Sequence, residues 1–474
     1  MSIDFASFYL YRWRYWIGYG LIALVSVALL AFAGLYLPGG ISDNEISSVI
    51  KSQNVSLSNV NDYAVTDLPF HLLQRVSIYF FGVNNFSIKL PSLILALFSA
   101  TGLILLLRKW FKRNIAVLGS IIAITTGQFL FIAQSGTPDI LYIFWSVCLL
   151  LLGTLVARRE QPSALWKILF FATVALSLYT PLSVYALVAL LLAVILHPHL
   201  RYIIRQLSKV KLSIAAVIGL IIIAPLIYGI FHSPELGLTL LGIPDKMPDI
   251  MANALAVSRQ YLGFSIASIT PLMTPVFGFG SMLIIGLGVY RLIKTRQSTR
   301  SYLILIWLLC LIPIIIINPQ YASVTFLPLV LLLCSGLSYL LGHWYGLFPR
   351  NPYARVAGLI PLIVLVGALV LSGLERYVYG YHYDPSTVSN FSNDLSLLPK
   401  DTKQLIVSNK QLPFYSVVTK HDKGLTIIQT PTSSTFTATS EAKAKYNGYV
   451  INRIITSPRA TDADRFYIYK KIEQ

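Results

Sequence analysis

Charge is what this chain has least of. Only 12% of its 474 residues are charged, about half of the ~25% with which a soluble domain wets its surface. That scarcity excludes an ordinary water-soluble globular protein. Acidic residues are scarcer still, 19 against 37 basic ones. Cysteine is rare: Cys148, Cys310 and Cys334 sit inside apolar runs without metal-ligand spacing, which excludes a zinc framework or a disulfide scaffold and leaves buried packing. There is no phosphate-cradling glycine loop, no HExxH, no nucleophile elbow, no internal repeat and no low-complexity segment.

What is present is long apolar sequence. Hydrophobic residues make up 55% of the chain, in runs at roughly 16–37, 88–107, 115–132, 140–157, 165–179, 182–197, 212–231, 272–293, 301–317, 323–341 and 356–374. Most approach the ~20 residues that carry a helix across a bilayer core, so the expected fold is an all-α polytopic membrane protein of about eleven transmembrane helices. The first run is too long for the apolar core of a cleaved signal peptide and reads as a signal anchor. Thr180 and Pro181 divide 165–197 into two helices and a tight turn, because proline removes a backbone donor.

The net charge of +18 invites a nucleic-acid partner, but its distribution argues otherwise. With the N-terminus placed in the cytoplasm, 19 basic residues fall in inner segments and 5 in outer loops, as the positive-inside rule expects. The other 13 lie beyond residue 374, in a long tail exempt from that rule. Basicity is therefore a topology signal for an integral plasma-membrane protein with its C-terminal domain outside. Nucleic acid is not an expected partner; the lipid bilayer is.

Two outer loops, about 38–88 and 232–271, are long enough to fold, whereas the inner loops are short and basic. Residues 45–50 and 250–255 read as short amphipathic helices on the membrane surface. Chemistry is expected outside, where most acids of the membrane part gather. Residues 1–374 form the membrane module and 375–474 a small α/β domain, with short β-prone runs at 404–408, 425–428, 449–451 and 466–469. Residues 414–418 suit either strand or helix. Tyr377, Tyr379, Tyr381, His382 and Tyr383 read as an interfacial aromatic belt.

Three sets of residues are candidates for chemistry. Asp43 and Glu45 follow the first helix. In a loop both would reach a divalent metal; in a helix they point apart, and Ser42 or Asp43 would cap it with Glu45 in the first turn. A carboxylate beside the low-dielectric membrane becomes a better base toward a hydroxyl. Asp139 opens the fourth helix, either as a functional intramembrane acid or as a partner of the helix dipole. Arg75, Lys89 and Arg259 are scarce outer cations suited to an anionic headgroup, although snorkelling to the interface is the commoner role for a lysine placed as Lys89 is.

The segments Leu68-Pro69-Phe70-His71, Phe80-Phe81-Gly82 and Lys89-Leu90-Pro91-Ser92, with Asp43, Glu45 and Asp139 in place, resemble the GT-C glycosyltransferases. More narrowly they resemble the branch of the protein O-mannosyltransferases and lipid A aminoarabinose transferases. Asn318-Pro319-Gln320-Tyr321, followed by Phe326-Leu327-Pro328, is similar to that branch's late Arg-Tyr and proline pattern. Lys89 and Gln320 stand where the family often has arginine. The resemblance implies transfer of a sugar from a polyprenyl-phosphate donor to an acceptor hydroxyl, with inversion. The acceptor would be a protein, a glycolipid or a wall polymer. A first-loop carboxylate would serve as base, basic groups would steady the phosphate, and His71, Gln320 and Tyr321 would touch substrate. The rivals are a transporter or lipid flippase, which would place charges at the bilayer midplane, and a non-catalytic scaffold presenting its tail.

Overall fold

The computed structural model describes residues 9–35, 40–55, 63–157, 164–244, 246–264, 276–347, 353, 357–381, 390–391, 393–421, 424–456 and 465–472. Asp62, Asp245, His382 and Tyr383 lie outside them. Each of the eleven apolar runs contains a helix. The first is α1 (Tyr9–Leu35), and the long loop after it folds into α2 (Asp43–Asn54) and α3 (Leu68–Phe81). Then come α4 (Asn85–Trp110), α5 (Arg113–Ile124), α6 (Gly127–Gln134), α7 (Ile140–Ala157), α8 (Ala164–Ser177), α9 (Ser183–Leu196) and α10 (Pro198–Arg205). The chain continues through α11 (Lys209–His232), α12 (Pro234–Leu241), α13 (Ile250–Leu262), α14 (Phe279–Lys294), α15 (Thr299–Ile317), a 3-10 segment (Pro319–Thr325), α16 (Phe326–Leu347) and α17 (Leu359–Glu375).

By length and composition six helices among the described residues can cross a membrane, and eight if each of two bent pairs counts as one span. In the first pair α5 meets α6 at 57°; Thr125 and Thr126 at the break return their hydroxyls to carbonyls of the preceding turn. In the second, Pro198 opens α10, which turns 94° from α9. The remaining runs give α1, α8 and α14, of which α8 and α14 have 14 and 16 residues, short of the ~20 that span a bilayer core upright. The 3-10 segment and α16 form the most enclosed span, whereas α11 and α17 expose most of their surface. Close approach fixes α16 against α14: a Cβ on Gly288 would lie 2.0 Å from the Leu332 carbonyl oxygen, and one on Gly336 2.0 Å from that of Ile284. Small residues permit such contact where lipid supplies no hydrophobic drive.

The tail holds a five-stranded sheet of β1 (Gln404–Ile406), β2 (Thr426–Ile427), β3 (Thr435–Thr439), β4 (Tyr449–Ile455) and β5 (Phe466–Lys471), in the order β2-β1-β3-β5-β4. β1 runs parallel to β2 and β3; β5 lies antiparallel between β3 and β4. Residues 414–418 belong to a helix, α18 (Leu412–His421). This helix buries Phe414, Tyr415, Val417 and Val418 in one apolar cluster with Ile41, Val49, Ile78 and Ile88 of the membrane module. Ile41 also bridges to Asn393, and the Asn85 amide donates to Asp394 at 2.7 Å. The tail is thus fastened onto the first long loop. Tyr377 departs from the expected aromatic belt: it is buried, and its hydroxyl donates to Gln134 on α6.

Candidate active site

The long loop after α1 is anchored at both ends. Ser42 caps α2, with its hydroxyl accepting from the Glu45 amide while the Glu45 carboxylate accepts from the Ser42 amide at 2.8 Å, a reciprocal capping box. The other Glu45 oxygen accepts from the Gly136 amide at 2.5 Å. A Cβ on Gly136 would meet Ile88 atoms at 2.7 and 2.9 Å and that same Glu45 oxygen at 3.1 Å, so only glycine fits there. Gln74 completes the joint, donating to the Ile88 and Gly136 carbonyls and accepting from Ser48. Fully buried Glu45 therefore clasps α2 to the turn before α7. Asp43 points the other way, exposed and 3.8 Å from Lys410 of the tail.

The loop re-enters the protein at Asp67. Its φ of +57° is left-handed, a strained state for a residue with a side chain. Its amide donates to the Tyr179 carbonyl at 2.8 Å, and its carbonyl accepts from Phe70 and His71. The same turn takes the second long loop, since the Leu182 amide donates to Leu240. Both long loops thus hang on residues 179–182, between α8 and α9.

Asp67 is buried, and among the described residues one of its carboxylate oxygens has no hydrogen-bond partner. His71 Nδ1 and Arg75 Nη1 are likewise buried and have none among those residues. These three residues are spaced four apart, which sets them along one side of α3 over about 12 Å of helix. Orphaned polar atoms in a folded interior are few and call for an explanation such as an absent ligand. Burial pushes the Asp67 carboxyl up to about 8; the Asp139 charge adds to this, while Thr180 and Lys51 oppose it. His71 is pushed down to about 4 by burial and by Lys51, which keeps its imidazole neutral.

Asp139 stands opposite, at the mouth of α7, accepting from the Thr137 hydroxyl at 2.8 Å. Burial raises its pKa and that hydrogen bond partly restores it. Tyr142 and Tyr321 lie within electrostatic reach of both carboxylates, and their rings meet edge to face at 5.9 Å. The arrangement sets two mutually repelling acids beside a stripe ending in a guanidinium. Two carboxylates in one low-dielectric site do not both ionise readily, which poises the pair to hold or accept one proton.

The other candidates separate. Arg259 on α13 and Gln320 are exposed. Lys89 is buried, donating to the Gly40 carbonyl at 3.1 Å beneath the Phe391 ring, where it braces the loop against the tail. Asp43 and Glu45 do not converge, and among the described residues no group of three His, Cys, Asp or Glu side chains is arranged to hold a metal. The sequence reading passed over Asp67. Its one local sign was an acid immediately before a helix with proline at its second position.

The family model for dolichyl-phosphate-mannose-protein mannosyltransferases matches residues 68–228. No curated protein matches the chain. Among solved structures, ArnT from Cupriavidus metallidurans bound to undecaprenyl phosphate is similar at 10% identity and a TM-score of 0.54, over 96% of this chain and 98% of that one. Its apo state gives 11% and 0.56 over the same shares. The oligosaccharyltransferase of Archaeoglobus fulgidus, tethered with an acceptor peptide, is similar at 14% and 0.51, over 86% of this chain and 64% of that one.

Proposed function

We propose that this chain, which has the fold of the GT-C glycosyltransferases, moves a sugar from a polyprenyl-phosphate donor to an acceptor hydroxyl at the outer membrane face, and that Asp67 and Asp139 together carry the general base. The observation behind this reading is the row of polar atoms on Asp67, His71 and Arg75 that have no partner among the described residues, with half-buried Asp139 in electrostatic reach of Asp67. Arg75 offers a fork of donors suited to a phosphate, neutral His71 one more, and Lys51 adds positive charge nearby. A donor of this kind keeps its tail in the bilayer and its phosphate at the interface, where such a stripe would meet it.

In the reaction the acceptor oxygen forms a bond to the anomeric carbon as the bond to the phosphate oxygen breaks. The hydroxyl proton passes to the ionised member of the carboxylate pair, and polyprenyl phosphate leaves as an anion. One displacement inverts the anomeric centre. Tyr142 and Tyr321 offer ring faces and hydroxyls to the sugar. Glu45 and Lys89 act as positioning residues, and Asp43 takes no part in the chemistry. A transporter reading is less well supported, because these acids gather at one face rather than at the midplane.

Transfer by purified protein, followed as release of polyprenyl phosphate, tests the proposal. Asp139→Asn should lower turnover ~10²–10⁴-fold, the range of a positioned base, with donor KM little changed. Arg75→Ala should act mainly on donor KM. Wild-type turnover in Asp139→Asn would remove the carboxylate pair from the mechanism.

A further inference from the structure

A second polar hollow lies apart from the carboxylates. The bend between α5 and α6, the start of α14 and the end of α17 enclose a small crevice of about 40 Å³, room for a few waters or one phosphate-sized group rather than a whole small ligand. Thr126, Gln128, Ser281, Ser372 and Arg376 supply its polar lining, and Leu369 and Val276 its apolar part. Gln128 is 1% exposed, and among the described residues neither the oxygen nor the nitrogen of its amide has a hydrogen-bond partner. Arg376 is half-buried, and no carboxylate pairs with it among the described residues. A guanidinium drawn partly out of water beside such an amide is stabilised by an anion that completes both.

The surroundings say what kind of anion. Phe279 on α14 and Leu371 on α17 flank the crevice and are 59% and 67% exposed, as apolar side chains facing lipid would be. α6 runs from Gln128 toward the loop that carries Asp139, which puts its length between the crevice and the acids. A ligand here has its charge against Arg376 and its apolar part along two lipid-facing helices.

We propose that this crevice binds the phosphate of a lipid headgroup: Arg376 pairs with the phosphate, the Gln128 amide donates to a phosphate or ester oxygen, and the acyl or prenyl chains lie along α14 and α17. The site is distinct from the α3 stripe and does not depend on the carboxylates being catalytic. Two sources share this chemistry, an anionic bilayer phospholipid and a polyprenyl phosphate.

Native mass spectrometry of the full chain in detergent, titrated separately with phosphatidylglycerol, a polyprenyl monophosphate and inorganic phosphate, tests it. Arg376→Gln and Gln128→Leu should weaken one of the two lipids about tenfold to a hundredfold, the scale of a lost charge-assisted hydrogen bond. Asp139→Asn should leave that binding unchanged, and whichever lipid is lost names the source. Melting temperatures of the lipid-free variants show that they fold; Gln128→Leu should melt no lower than wild type, since it removes an unsatisfied amide. Equal lipid binding by Arg376→Gln and wild type would overturn the proposal. So would inorganic phosphate binding as tightly as either lipid, or a loss of lipid binding in Asp139→Asn equal to that in Arg376→Gln.

Discussion

Asp67 shows how much one side chain takes from its surroundings. At the head of a helix an aspartate ordinarily accepts from free amides and ionises easily. Here the left-handed backbone turns the carboxylate away from those amides, so it caps nothing, and burial raises its pKa to about 8. The consequence for stability has a definite sign. A carboxyl held near 8 in the folded chain, against ~3.9 unfolded, contributes stability that is present below pH ~4 and is lost as pH rises through 8. Asp67→Asn should therefore gain in melting temperature over wild type as pH climbs from 4 to 8, with the difference levelling off above that. Parallel melting curves across this range would show that the carboxyl is not held protonated in the fold.

At the scale of elements, the clasp between α2 and the turn before α7 sets where Asp139 stands. Gly136→Ala should force apart Ile88 and Glu45, costing ~1–3 kcal/mol as overpacking does, and turnover should fall with Asp139 itself intact. A variant with wild-type melting and wild-type turnover would show that the clasp is not what positions the acid. This joint also marks how far the sequence could be read. The eleven apolar runs each marked a helix, and Ser42 with Glu45 had the spacing of a helix start. Asp139 was legible as an acid at a helix mouth. Asp67 was not, because its burial depends on residues 179–182, more than a hundred positions along the chain. Strand β3 was missed although Thr435 to Thr439 alternates threonine with Phe436 and Ala438, since its polar residues hid a buried central strand. The division at Thr180 and Pro181 already marked α8 as short, but nothing in the sequence showed that α14 is short or that α5 and α6 bend.

The whole molecule is a membrane bundle with a small domain packed onto the loop that follows its first helix. The contact is a shared apolar core rather than a flexible tether, so the tail should contribute to the stability of that loop. Phe414→Ala removes a side chain buried among residues of both parts and should cost ~3–5 kcal/mol, as deleting a core phenylalanine does. Thermal unfolding followed at the first long loop and at the tail should show both shifting together; a shift confined to the tail would show the two to be independent. The exposed Asp43–Lys410 contact adds little by comparison, as surface ion pairs do. Glycan mass spectrometry of cells lacking this chain tests which acids do chemistry. Cells would be complemented with wild type, Asp43→Asn or Asp139→Asn at equal membrane levels. The sugar lost on deletion should return with wild type and with Asp43→Asn but not with Asp139→Asn; full return with Asp139→Asn, or none with Asp43→Asn, would contradict the roles proposed for these acids.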